Sequence, residues 1–235
     1  MDAQMELVGS SLGSLAEDLR ACAHNLANTN TAGYKRLQRS FASTLASASG
    51  TASGSTSVDF RQGALAHTGR PLDLALQGEG FFVIQTPGGE LYTRNGSFRL
   101  DAEGQLVDAS GRIVAGEDGP VVAPRNTSPL EIRISGDGRV TAGGRRIATL
   151  RVVRFPDASV LRPVGMNCFK PPGEVRPTDA EGAVVHQGYR ESSNVSTVEE
   201  LVRLITITRL YQANVKSITS RDDRLKNLLA VAMGT

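Results

Sequence analysis

Three histidines, two cysteines and 24 acidic side chains are the groups in this 235-residue chain with which chemistry would be done. His24, His67 and His186 lie far apart, with no cysteine or carboxylate at metal-ligand spacing, so they read as structural or surface residues. Cys22 sits on a helical stripe and Cys168 in a proline-rich stretch. One distant pair is no disulfide framework, and Cys22 suits the role of a small apolar residue. Gly78-Glu79-Gly80 suggests a phosphate loop, but Phe81-Phe82-Val83 continues as a strand rather than a helix, which removes that reading. Asp101, Asp108 and Glu117 are scattered and do not give the convergent carboxylate pair of a carbohydrate-active enzyme. Nucleophile-elbow, metalloprotease and Walker sequences are absent. Arg145, Arg146, Arg151 and Arg154 form a basic cluster, read as a solvated strand face, with contact to a neighbouring subunit as the alternative. Tyr34, Tyr92 and Tyr211 read as core or edge aromatics. These residues point to no enzyme, no cofactor and no metal.

Charge and hydropathy exclude further classes. The 26 basic and 24 acidic residues leave a net charge of +2, without the dense basic patch of a nucleic-acid binder. No run reaches the roughly 18 apolar residues of a membrane span, so no membrane insertion is expected. Asp2 and Glu6 precede the first basic residue, Arg20, which is the wrong order for a secretory signal. The chain therefore reads as made in the cytosol, and an export address of another kind would not show.

The elements around these residues carry a stronger pattern. Met5, Val8, Leu12, Leu15, Leu19, Cys22 and Leu26 are spaced 3, 4, 3, 4, 3, 4, a heptad seam. Gly9 and Gly13 interrupt it at roughly 1 kcal/mol each against alanine, so the helix needs a partner. Residues 40–57 are Ser, Ala, Thr and Gly almost throughout and read as a linker. From 58 to 187, short β-type runs such as LDLAL, FFVIQ, ELYTR and LEIRI alternate with turn dipeptides, including Asn95-Gly96 and Asp137-Gly138. Helical spacing returns in Leu201, Leu204, Tyr211, Val215, Ile218, Leu225 and Leu229, with Ser193 or Asn194 as its start. The expected domains are a helix and Asn/Gly turn (1–39), the linker (40–57), a β domain (58–187) and a C-terminal helix (188–235). The expected class is α+β, with the two long terminal helices packed as a coiled-coil-like pair beside a central all-β domain, a barrel or sandwich. Two helices cannot cover both stripes, so some apolar surface is left for assembly.

Three stretches resemble one family, the bacterial flagellar rod and hook proteins. "NLANTNTAGYKR" is similar to their N-terminal signature through Asn25, Leu26, Ala27, Asn28, Thr31, Gly33, Tyr34 and Lys35. "GRPLDLALQGEGFFVIQTPGGELYTRNGSFRLDAEGQLVDASGRIVAG" is similar to their central block through Gly80, Phe81, Phe82, Tyr92, Thr93, Arg94, Gly96 and Phe98. "ESSNVSTVEELVRLITITRLYQANVKSI" is similar to their C-terminal segment through Ser193, Asn194 and Val195. The sequence departs from the pattern at His24 and Ala32. "GRPLDLALQGEGFFVIQ" resembles the proximal rod members most, with distal rod or hook subunits as the alternative. A coiled-coil adaptor would explain the seams but not the three matches.

The resemblance implies a structural subunit of the basal-body rod, a tubular drive shaft for motility. It implies partnership with copies of itself and other rod and hook subunits, and passage through the flagellar type III export apparatus from cytoplasm to periplasm. The stripe residues of both helices become the expected assembly surface.

Overall fold

The computed structural model describes residues 2–39, 56–173 and 175–232, the side chains of 2–8, 221–223 and 225–232 excepted. Two compact units emerge: a helical unit from Met1–Ala27, Leu37–Ser57 and Ser196–Thr235, and a β unit from Asn28–Arg36 and Val58–Val195. Of the expected linker, residues 40–55 lie outside the described residues, while Thr56 and Ser57 open a strand.

In the helical unit, α1 spans Asp2–Ala27 and α2 spans Thr197–Ala232. Ser196 begins α2: its hydroxyl accepts from Glu199 N at 3.4 Å and its carbonyl from Glu200 N at 3.0 Å. Glu199 and Glu200 place negative charge at the positive end of the helix.

The expected α+β class with a coiled-coil-like helix pair is corrected by the structure. The chain is mostly β, with two α-helices and nineteen short strands among the described residues, and the helices do not pack along the heptad stripes. They touch through Cys22 Sγ donating to Glu200 O (3.1 Å), Arg203 beside Asp18 (3.8 Å) and Asn214 Nδ2 near Ser11 Oγ (3.5 Å). The covered face of α2 runs through Glu200, Leu204, Ile207, Asn214 and Ile218, while Leu201 and Tyr211 are each 42% exposed. A coiled-coil seam buries its apolar knobs. Here the polar contacts come from Ser11, Asp18 and Cys22 on α1, the buried residues described on that helix are Ser14, Ala21, Cys22 and Asn25, and a Cβ at Gly9 or Gly13 would meet nothing within 4 Å.

The β unit is organised about one strand. Counting strands in chain order, β1 (Arg36–Arg39) and β2 (Thr56–Asp59) pair as a two-stranded ribbon of their own. The central strand β5 (Phe81–Thr86) forms a hairpin with β6 (Gly89–Thr93), and its other edge takes β9 (Ile113–Gly116) and β14 (Val152–Arg154), all antiparallel. Successive side chains of a strand point to opposite faces. Phe82 and Ile84 enter the main core with Leu74, Leu76, Phe98 and Leu106. Phe81 faces the other way, into an aromatic group: Phe60 at 5.4 Å and Phe155 at 6.0 Å between ring centroids, edge to face. Because both faces of β5 are covered, the run Phe81-Phe82-Val83-Ile84 is apolar without alternation. A separate three-stranded sheet, β11 (Ile132–Ile134), β12 (Arg139–Ala142) and β13 (Arg145–Thr149), closes the core with Ile132, Ile134 and Val140.

Asn95-Gly96 does not close a hairpin; it bends the chain between β6 and β7 (Arg99–Leu100). Gly96 is needed for close approach, since a Cβ there would lie 1.8 Å from Leu74 O.

Candidate functional site

Lys35 and Arg94, from the first two signature stretches, meet in the β unit on a buried carboxylate, Glu191, at the head of the third. Lys35 and Glu191 have fully buried side chains and meet at 2.6 Å. Lys35 Nζ also donates to Arg61 O (2.7 Å) and Phe60 O (3.4 Å). Glu191 Oε1 accepts in addition from Gly63 N (2.9 Å), and Oε2 lies 3.5 Å from Arg94 Nη1. Arg94 Nη2 donates to Gly78 O (2.7 Å), and its guanidinium stacks 5.4 Å from the Phe81 ring centre. Burial pushes both the Lys35 ammonium and the Arg94 guanidinium below their usual ranges, and the Glu191 carboxylate opposes this in each case. Two cations and one carboxylate are thus held in an apolar surround. Each comes from a different signature stretch, separated by 59 and 97 residues in sequence (94 − 35 and 191 − 94).

Local sequence sets the approach of each partner. After α1, Thr31 N donates to Asn28 O (3.0 Å) and Thr31 Oγ1 to Asn28 Oδ1 (3.1 Å), a polar turn. Gly33 follows at φ +65° and donates to Glu191 O (2.8 Å). A Cβ at Gly33 would stand 2.4 Å from Asn95 N, so the glycine is required both by conformation and by space. Gly33→Ala is expected to cost about 1–3 kcal/mol or more in the stability of the β unit, measurable as a lowered urea midpoint with unchanged slope.

Two asparagines act as backbone substitutes. Asn25, fully buried, donates through Nδ2 to Leu37 O and accepts through Oδ1 from Leu37 N, both at 2.8 Å, in the helical unit. Asn194 accepts from Arg36 N (2.8 Å) and donates to Asp59 O (2.8 Å) and Arg61 O (3.0 Å) in the β unit. Asn194 is therefore engaged before α2 starts, which is why the helix opens at Ser196 and not at Ser193 or Asn194.

The other signature residues are placed as follows. Gly80, Phe81, Phe82, Tyr92, Thr93, Arg94, Gly96, Phe98, Tyr34 and Val195 are buried, and Leu26, Asn28, Thr31 and Ser193 are half-buried; Ala27 is exposed. Burial and a hydrogen bond to Glu90 push the Tyr92 phenol up to about 12. Of the stripe residues, Cys22 is buried, Leu12, Leu15, Leu204 and Ile218 are half-buried, and Leu19, Leu201, Tyr211 and Val215 are exposed. Met5 and Val8 lie on α1 and Leu225 and Leu229 on α2, with side chains outside the described residues. Sequence reasoning missed Glu191, whose only signal was its place at the head of "ESSNV". It also missed Val202 and Ile205, which are 60% and 53% exposed on α2.

Nothing in this arrangement resembles a reaction centre. Among the described residues, no three His, Cys, Asp or Glu side chains gather as metal ligands. Cys22 and Cys168 are buried and not joined. A β unit whose incoming and outgoing segments are pinned by one charge cluster, joined to helices with uncovered apolar residues, is the build of a structural assembly protein.

Comparison with known proteins agrees. Residues 75–142 match the family model described as the flagellar hook protein FlgE/F/G D1 domain, and residues 186–231 the one described as the flagellar basal body rod FlgEFG protein C-terminal region. The chain is 34% identical over 215 residues to the flagellar basal-body rod protein FlgF of Caulobacter vibrioides, covering 86% of each. It is 32% identical over 243 residues to FlgG of Buchnera aphidicola from Acyrthosiphon pisum (90% of this chain, 92% of the relative). It is 28% identical over 255 residues to FlgG of Bacillus subtilis (94% and 95%). The chain belongs to the flagellar hook and basal-body rod family.

Proposed function

We propose that the chain is a structural subunit of the flagellar basal-body rod and that it joins the rod through the uncovered apolar face of α2. The observation that carries the second part is a row of exposed apolar side chains, Val198, Leu201, Val202 and Ile205, at positions i, i+3, i+4 and i+7 of one helix face, with Tyr211 and Val215 exposed further along α2. A helix in water has no use for such a row, and each large side chain buried in an assembly contributes about 1.5–3 kcal/mol. Family membership and rod-named relatives covering most of their own length support the rod assignment over a hook subunit, an adaptor or a carbohydrate-active enzyme. Its partners are other rod-family subunits and further copies of the chain, with passage through the flagellar export apparatus. The resemblance of "GRPLDLALQGEGFFVIQ" to proximal rod members supports a proximal position. No described helix is long and apolar enough to cross a membrane, in keeping with an axial partner set.

Deleting residues 199–235 is expected to leave a β-rich protein that is exported but does not enter rods. Secretion and incorporation are measured separately, by immunoblot of the periplasm and of purified basal bodies. Normal levels of the truncated protein in basal bodies would remove α2 as the joining surface.

A further inference from the structure

A cleft of about 390 Å³ opens beside the charge cluster of the β unit. Its walls include Phe60, Phe81 and Phe155, and its charged residues are Arg61, Arg94, Arg154 and Glu79. Arg61 is bound by Asp59 at 2.6 Å, and Arg94 is turned toward Glu191. Arg94, with only 5% of its side chain exposed, keeps an Nε that finds no hydrogen-bond partner among the described residues. Arg154 is exposed, with no ion pair found for it among the described residues. Asp59 and Glu191 thus answer Arg61 and Arg94, which leaves Arg154 as the cation open to a ligand; an exposed guanidinium beside aromatic walls suits a ligand that is acidic at one point and apolar at the next.

The same unit carries that pair elsewhere on its surface. Leu130 is 73% exposed, the most exposed large apolar side chain described, and Glu131 beside it is exposed as well. Both sit on a short 3-10 turn, Pro129–Glu131, fixed by Ser128, whose side chain accepts from Leu130 N. None of these residues lines the cleft of its own chain. A knob and a socket at different places on one subunit make a heterologous contact, which repeats without closing and suits an open helical assembly.

We propose that the cleft receives the Leu130–Glu131 knob of a second copy of the chain, with Leu130 seated on Phe60, Phe81 and Phe155 and Glu131 paired with Arg154. The proposal rests on the rod reading for the presence of neighbouring copies; the complementarity of knob and cleft does not depend on it.

The test uses the full chain carrying Pro129→Cys and Ala158→Cys, residues beside the knob and in the cleft wall, expressed in place of the native protein. Purified basal bodies are treated with a short bismaleimide. The double variant is expected to give a ladder of dimers and higher multimers, and each single variant none. Adding Glu131→Arg or Arg154→Glu is expected to lower ladder yield by about tenfold or more, and adding both to restore it. Chain present in basal bodies without a ladder, or no restoration by the paired reversal, overturns the contact and leaves the rod reading standing. A crosslink from Ala158→Cys alone to a different rod protein gives the cleft another occupant and also overturns it. Absence of the chain from basal bodies overturns the rod reading itself.

Discussion

Glu191→Ala is expected to destabilise the β unit by about 3–5 kcal/mol. The carboxylate is fully buried and is the ion-pair partner of both Lys35 and Arg94. A buried ion pair adds little net stability when compared with well-packed apolar residues, because desolvation offsets attraction. Removing one member is different: the remaining charges stay buried without compensation. Here two cations would be stranded, and Gly63 N would lose its acceptor. The measurement is urea unfolding of the full chain followed by far-ultraviolet circular dichroism. A loss under about 1 kcal/mol would mean that Lys35 and Arg94 reach water in the variant and that the cluster does not hold the segments together.

The second large effect should appear in assembly and not in stability. Val202→Asp with Ile205→Asp changes two side chains that already face solvent in the monomer. Thermal unfolding should move by no more than about 0.5 kcal/mol per substitution, as for ordinary surface positions. Rod incorporation and motility should be lost, because each carboxylate carried into an apolar contact costs several kcal/mol. Motile cells with normal rods would show that this face stays wet in the assembly. Fully unfolded protein would show that the face is covered within the subunit.

The β strands were legible because their runs are short and bounded by glycine and proline. "FFVIQ" became β5, "ELYTR" β6, and "LEIRI" contains β11. The signature stretches were legible as family marks, but their purpose was not. Nothing in local sequence says that Lys35, Arg94 and Glu191 share a site, because their meeting is a property of the sheet. Gly96 was read as a turn residue because Asn-Gly favours tight hairpins, whereas its role is to let Leu74 O approach.

The helices show where periodicity misleads. The 3–4 spacing from Met5 to Leu26 is real, but spacing alone does not say which face meets which neighbour. In the subunit, α1 offers Ser14, Cys22 and Asn25 to its surroundings, and α2 offers Glu200 and Ile207. Ile207 falls outside the heptad frame drawn through Leu204 and Tyr211. The apolar residues left over on α2 are those that the described residues leave exposed.

Whether the chain is a rod subunit at all is tested most directly by locating it. Basal bodies isolated from cells expressing the full chain with a small site-specific label at exposed Gln77 can be imaged by electron microscopy. Label is expected on the rod at one fixed axial position, in every complete basal body. Label absent from basal bodies, or spread through cytoplasm or hook with an unlabelled rod, would contradict it.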